Sequence, residues 1–162
     1  MNTKFKWLYV FLAINIFSVV SYILYFIKFN HTPAPFIYDK GDTFMDFFNT
    51  LYWAYDENRY ETWQSIYPPL NFIFLKLVNF IISGGIYTEP FDMRHNGQNL
   101  IQFIIISFCL TPIIILKSYD WLRIREKICV YFIFILSAPF LFILERGNLI
   151  VYALPILYLF FN

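Results

Sequence analysis

The sequence is short of charge. Only 14% of its 162 residues are Asp, Glu, Lys or Arg, where an ordinary soluble domain has about 25%. The net charge is +1, so no electrostatic case exists for a nucleic-acid partner. Cysteine is scarce as well: Cys109 and Cys129 both fall inside apolar runs, which excludes a disulfide framework and reads as buried helix residues. Two histidines, His31 and His95, are too few and too isolated for a metal site or a Ser-His-Asp hydrolase. The expected complement of metals and resident cofactors is therefore none. No cleavable leader is expected, and the first apolar run reads as a retained helix. Lys4 and Lys6 precede an apolar run that is too long for a signal peptide and lacks a small-residue cleavage site. No internal repeat stands out.

What the chain does contain is apolar and aromatic. Hydrophobic residues make up 59% and the mean hydropathy is +0.56, and segments of close to twenty uncharged residues are transmembrane candidates. The apolar segments run over 7–27, 70–87, 100–116 and 128–144, and a fifth begins at Leu149. The reading is an all-α, polytopic membrane helical bundle. Residues 1–162 form one membrane domain, and an external loop over 29–67 contains an interfacial helix. Lys4 and Lys6 place the N-terminus in the cytoplasm. Asn15, Ser18 and Ser21 recur every three residues in the first segment and predict a helix-packing face. Lys76 interrupts the second segment, and a charge there should face protein or water.

The polar stretch from Gly41 to Leu70 organises the rest. It holds Asp42, Asp46, Asp56, Glu57 and Glu61, five of eleven acidic residues. A helix is expected from Asp42 or Thr43 to about Tyr55, lying flat at the headgroups, with Asp42, Asp46, Asn49 and Trp53 on one polar-aromatic face. Asp42 and Asp46 fit two roles. One is a catalytic base with a partner carboxylate. The other is local, with Asp42 as N-cap, or Thr43 to Asp46 at capping-box spacing. Asp56, Glu57 and Glu61 read as a solvated surface, with Arg59 available to pair with them. Trp53, Tyr55, Tyr60, Trp63 and Tyr67 suit sugar stacking and an interfacial aromatic belt equally. Arg94 and His95 suit a phosphate or acceptor contact and simple exposure alike. Arg146 reads either as an interfacial ion pair next to Glu145 or as a phosphate contact, helped by the backbone freedom of Gly147.

These residues resemble a family. An aspartate after the first helix, then an aromatic helix over Asp42 to Phe48, then Tyr67-Pro68-Pro69-Leu70 opening the next segment, is similar to the polyprenol-dependent glycosyltransferases of the GT-C superfamily, especially the bacterial membrane proteins of glycosyltransferase family 87. Glu145-Arg146-Gly147-Asn148-Leu149 resembles the family's Gly-Gln-x-Asn break, with Arg-Gly-Asn in its place. Family members carry more helices, so the match is to an N-terminal portion, and the 162-residue chain is expected to show weak or no transferase activity alone. The resemblance implies a multi-pass protein of the bacterial inner membrane. It implies a polyprenyl-phosphate-linked sugar as donor, and a glycan or lipid acceptor on the external side. Asp46 or Asp42 would be the base, and Arg146, Asn148, Arg94, His95, Tyr67 and Trp53 would bind substrate. A non-catalytic membrane subunit or transporter fragment is the alternative.

The charges conflict with simple crossing. If every segment crossed once, the basic loop 117–127 would lie outside, against the positive-inside rule. Letting the second segment enter and return on the same side repairs this. It also gathers 29–67, 88–98 and 145–148 on one face, where Asp46, Arg94 and Arg146 converge.

Overall fold

The computed structural model describes residues 3–36, 39–85, 89–117 and 119–153. Among them every regular element is helical. The helices are α1 (Thr3–Phe29), α2 (Met45–Tyr55), α3 (Pro69–Ile82), α4 (Pro90–Asn96), α5 (Gln98–Lys117), α6 (Ile124–Ile135) and α7 (Ala138–Arg146), with a 3₁₀ turn at Lys40–Asp42. Two helices are long and apolar enough to cross a membrane, over Lys6–Phe29 and Gln98–Lys117. A third crossing is available if α6 and α7, bent 57° to each other, act as one span. The described residues are thus all-helical in their regular structure, and the chain is membrane-associated. The fifth apolar segment is described only to Ala153, and 154–162 lie outside the described residues.

The bend explains why the fourth apolar segment is not one helix. Pro139 lacks an N–H and cannot continue the ladder of α6. Instead it sits in the first turn of α7, where no partner is needed. The Ser137 hydroxyl accepts from the Phe140 amide at 3.4 Å and caps the new start.

The centre of the molecule is α2. Phe47, Phe48, Leu51 and Ala54 are fully buried, and α3, α4 and α7 all pack on this helix. They meet Phe72 and Leu75 of α3, Met93 of α4, Leu100, Ile104 and Phe108 of α5, and Phe140 of α7. The helix expected to lie flat on the headgroups is the most enclosed one. Its buried residues Met45, Phe47, Phe48, Thr50, Leu51 and Ala54 spread over more than half of the helix circumference, which is the pattern of a helix wrapped by others.

In α1 the half-buried residues Leu8, Leu12, Asn15, Val19, Tyr22 and Phe26 recur at helical spacing and form the stripe against α6. Ser18 and Ser21 stay exposed, so the expected packing face is wrong beyond Asn15. The Ser18 hydroxyl bonds back to the Ile14 carbonyl at 2.9 Å, which satisfies it without a neighbour.

Named contacts sort the helix ends into two groups. At one end Arg94 of α4 donates to the Gly41 carbonyl. The Phe44 amide donates to the Glu145 carbonyl at 2.7 Å, and Tyr22 meets Phe36 edge-on at 4.8 Å. At the other end the Lys127 ammonium donates to the Lys117 carbonyl at 3.3 Å, and Leu8 shares a cavity with Leu116 and Val130. The ends of α1 and α7, the starts of α2 and α5, and the end of α4 therefore belong together. The start of α1, the end of α5 and the start of α6 lie at the opposite end.

This fixes the course of the second apolar segment. Tyr67 lies beside Asp46 and Thr50. From there α3 runs alongside α2 until Asn79 Nδ2 donates to the Tyr55 hydroxyl at 3.0 Å, and α4 brings the chain back to Gly41. With fourteen residues, α3 is about 21 Å long, short of a ~30 Å hydrocarbon core. The segment returns to the end it left. Lys76 lies 5.2 Å from the centroid of the Tyr55 ring, and its charge thus rests on an aromatic face of α2.

The return is tight at Gly97, between α4 and α5. A Cβ there would lie 2.4 Å from the Met93 carbonyl and 3.1 Å from Phe48 Cε1. Gly97→Ala is expected to lower stability by roughly 1–3 kcal/mol, read as a reduced unfolding temperature of the detergent-purified protein. Unchanged stability would show that this junction does not press on α2.

Candidate functional site

The site forms where the start of α2 meets the end of α7. Neither capping arrangement expected at the start of α2 is present. Asp42 lies in the 3₁₀ turn before the helix, the helix begins at Met45, and Phe44 is its N-cap with φ +65° and no side-chain cap. That left-handed conformation is costly for a bulky residue. It is held by the bond from the Phe44 amide to the Glu145 carbonyl. Gly147, also left-handed at φ +67°, ends α7 against it, and a Cβ on Gly147 would lie 3.2 Å from Phe44 Cα. Two helix ends thus interlock through backbone that only this pairing of Phe44 and Gly147 allows.

On this interlock sits a side-chain pair. Arg146 Nε donates to Asp46 Oδ2 at 2.8 Å, and Arg146 Nη2 donates to Asp46 Oδ1 at 2.9 Å. The fork geometry is the strong, directional form of an Arg–carboxylate contact. Asp46 also lies in the first turn of α2, where a carboxylate is favoured by the helix dipole. Arg146 pairs with Asp46, a hundred positions earlier, and not with its neighbour Glu145 as its ion-pair reading supposed. Asp42 is exposed, and its charge acts on Arg146 from nearby.

Beside the pair lies a cavity of about 330 Å³. Asp46, Asn49, Thr50 and Trp53 of α2 form one wall, and Trp63 and Tyr67 of the returning loop form another. The loop is fastened to α2 at several points. Trp53 and Trp63 stack with centroids 6.1 Å apart and planes 19° apart. The Trp63 indole N–H donates to Asp56 Oδ2 at 2.6 Å, and the Asn58 amide donates to Asp56 Oδ1 at 2.9 Å. These two bonds hold the Asp56 carboxyl below its ordinary range. Arg59 Nε and Nη2 donate to the Trp53 and Ala54 carbonyls at 3.1 and 3.3 Å. Arg59 therefore caps the end of α2 instead of only pairing with its acidic neighbours. The Tyr67 phenol is pushed above its usual value, first by burial and then by the charge of Asp46.

The structure therefore brings Asp46, Arg146, Trp53 and Tyr67 together, with Asp42 at the edge. The other expected site residues have other places. Arg94 holds the Gly41 carbonyl and so supports the turn that carries Asp42. Asn148 Oδ1 accepts from the Ile150 amide at 3.0 Å and shapes the chain after α7. His95 is exposed on α4 and does not join the site. Thr50, which lines the cavity and donates to the Asp46 carbonyl at 2.6 Å, escaped the sequence reading, although its i,i+4 spacing from Asp46 was the available signal. Among the described residues no three His, Cys, Asp or Glu side chains cluster as a metal would require. No protein-family model, curated protein or solved structure matches the chain.

Asp46 and Arg146 retain 24% and 40% side-chain exposure, so their pairing is worth less than a fully buried one. A double-mutant cycle with Asp46→Asn and Arg146→Gln is expected to give a coupling of about 1–2 kcal/mol in chemical unfolding of the purified protein. A coupling near zero would mean the fork does not hold α2 to α7.

Proposed function

We propose that this chain belongs to a membrane glycosyltransferase of the GT-C type, akin to glycosyltransferase family 87. Its site uses a polyprenyl-phosphate-linked sugar as donor and a glycan or lipid as acceptor. The observation that carries this reading is the Arg146–Asp46 fork beside a cavity walled by Trp53, Trp63 and Tyr67. Guanidinium is suited to phosphate oxygens, aromatic faces suit sugar rings, and a carboxylate is the group needed to take a proton from a hydroxyl.

In the fork both oxygens of Asp46 are occupied, so as it stands Asp46 is not poised as a base. A donor phosphate offers Arg146 an equivalent fork partner. Exchanging Asp46 for that phosphate frees the carboxylate at the moment the donor is seated. The freed Asp46 then accepts the proton of the acceptor hydroxyl, a contribution of roughly 10²- to 10⁴-fold. Asp42, exposed at the rim, is the second carboxylate and balances the charge of Arg146. The rival reading, a non-catalytic membrane subunit, is favoured by the same saturation of Asp46, since a clasp needs nothing more.

Binding asks about this site directly. Purified protein titrated with a polyprenyl phosphate is expected to bind about tenfold more weakly as Arg146→Lys, which keeps charge but loses the fork. Asp46→Asn is expected to bind tighter than wild type, because the competitor for Arg146 is gone. Equal affinity for polyprenyl phosphate and neutral polyprenol would remove the transferase reading and leave the clasp.

The same proposal places the Asp46 end of the molecule on the external face of the bacterial inner membrane and the N-terminus in the cytoplasm. The basic loop then obeys the positive-inside rule. With Cys109 and Cys129 replaced by serine, an impermeant thiol reagent on intact cells should label Asn96→Cys and spare Asp120→Cys. The opposite pattern would invert the orientation.

A further inference from the structure

The other end of the bundle carries a feature that the glycosyl-transfer reading does not use. Between α1, α5 and α6 lies a groove of about 480 Å³, within the size range of small-ligand sites. Its lining includes Leu8, Pro112, Leu116, Trp121, Val130 and Phe134, and it offers almost no polar surface. Nothing in that lining would orient a polar cofactor, whereas a hydrocarbon chain needs no such anchor.

The rim differs from the groove. Lys6, Lys117, Arg123, Arg125 and Lys127 lie on the segments that border it, against Asp120 and Glu126. Among the described side chains, five positive and two negative charges give +3 at this end, although the whole chain carries +1. The acidic side is partly committed already, because Glu126 Oε2 accepts from the Arg123 amide at 2.9 Å. Tyr119 and Trp121 stand at the mouth, and Trp121 is 75% exposed. That is the placement of an aromatic side chain at a headgroup boundary. An apolar slot, an aromatic mouth and a cationic rim are together complementary to one kind of molecule.

We infer that this groove seats one acyl chain of an anionic glycerophospholipid, whose phosphate lies among Arg123, Arg125 and Lys127. The lipid holds the start of α6 to the start of α1 and the end of α5. Clustered basic residues at a membrane boundary attract anionic lipid over zwitterionic lipid, and the attraction is screened by salt. The site is independent of whatever happens at Asp46.

Trp121 reports on occupancy directly. The full chain is reconstituted into phosphatidylcholine vesicles containing graded mole fractions of brominated phosphatidylglycerol or of brominated phosphatidylcholine. The Trp121 component of emission is taken as the difference between wild type and Trp121→Phe. Half-maximal quenching is expected at about fivefold lower mole fraction of the phosphatidylglycerol, the scale set by one basic residue near an anionic surface. The preference should shrink in 1 M salt and should be lost in Arg123→Gln/Arg125→Gln/Lys127→Gln. Should the triple variant fail to insert, Lys127→Gln alone is expected to reduce the preference. Equal quenching by both lipids, a preference indifferent to salt, or no quenching because a second protein copy fills the groove would each overturn the inference.

Discussion

The start of α2 has no cap of its own, and the remainder of the fold answers that deficiency. A helix that begins on a left-handed Phe44 leaves amides to be satisfied from elsewhere. The answer comes from the far end of the chain: the Glu145 carbonyl takes the Phe44 amide, and Gly147 lets the backbones approach. The Arg146 fork on Asp46 then fixes the rotation of one helix end against the other. None of these contacts forms until residues about a hundred apart in sequence have met. Within a membrane, where apolar burial offers little preference for one helix partner over another, such polar and close-packed contacts decide which surfaces meet.

Once α2 is pinned at its start, its surroundings follow. An eleven-residue helix is too short to span, and its far end is closed by protein. Arg59 closes it through the Trp53 and Ala54 carbonyls, and α3 covers its flank. Asn79 Nδ2 bridges the Tyr55 hydroxyl and the Gly85 carbonyl, at 3.0 and 2.8 Å, and ties the chain down where α3 ends. Asn79 Oδ1 is buried without a hydrogen-bond partner among the described residues. That is a cost of about 1–3 kcal/mol, and it marks the least satisfied point of the core.

Much of this was written in the sequence, but unevenly. Hydropathy located the two long helices at Lys6–Phe29 and Gln98–Lys117, since a run of about twenty apolar residues carries its own signal. The conflict between the basic loop at 117–127 and simple crossing pointed to a returning second segment, and the short α3 with α4 folding back has that form. The meeting of Asp46 and Arg146 was expected from the returning second segment, which grouped Arg94 with them, whereas Trp53 and Tyr67 were named from the family resemblance. What failed was what local chemistry cannot specify. Asp42 and Thr43 looked like caps because cap residues are recognised by type, whereas the actual cap is a backbone pairing with Glu145. Asn148, Arg94 and His95 looked like ligands because they are polar residues in loops. Asn148 and Arg94 instead bond backbone that positions the site, and His95 is exposed on α4. Residue type narrows the roles available to a side chain, and the partner that tertiary structure supplies selects among them.

The fork at Asp46 shows why structural and catalytic readings of one carboxylate need not compete. A base must be held in place, and the guanidinium fork that holds Asp46 also turns both of its oxygens toward Arg146. An arginine that has an alternative anion to bind resolves this. It keeps Asp46 oriented while the site is empty, and it can release Asp46 when a phosphate takes its place. Clasp and site then use the same two side chains in succession. The aromatic wall stays put meanwhile, because Trp63 is tied to Asp56 and stacked on Trp53 independently of Arg146. A phosphate-for-carboxylate exchange at Arg146 would therefore leave the cavity's shape intact while changing only which anion the guanidinium holds.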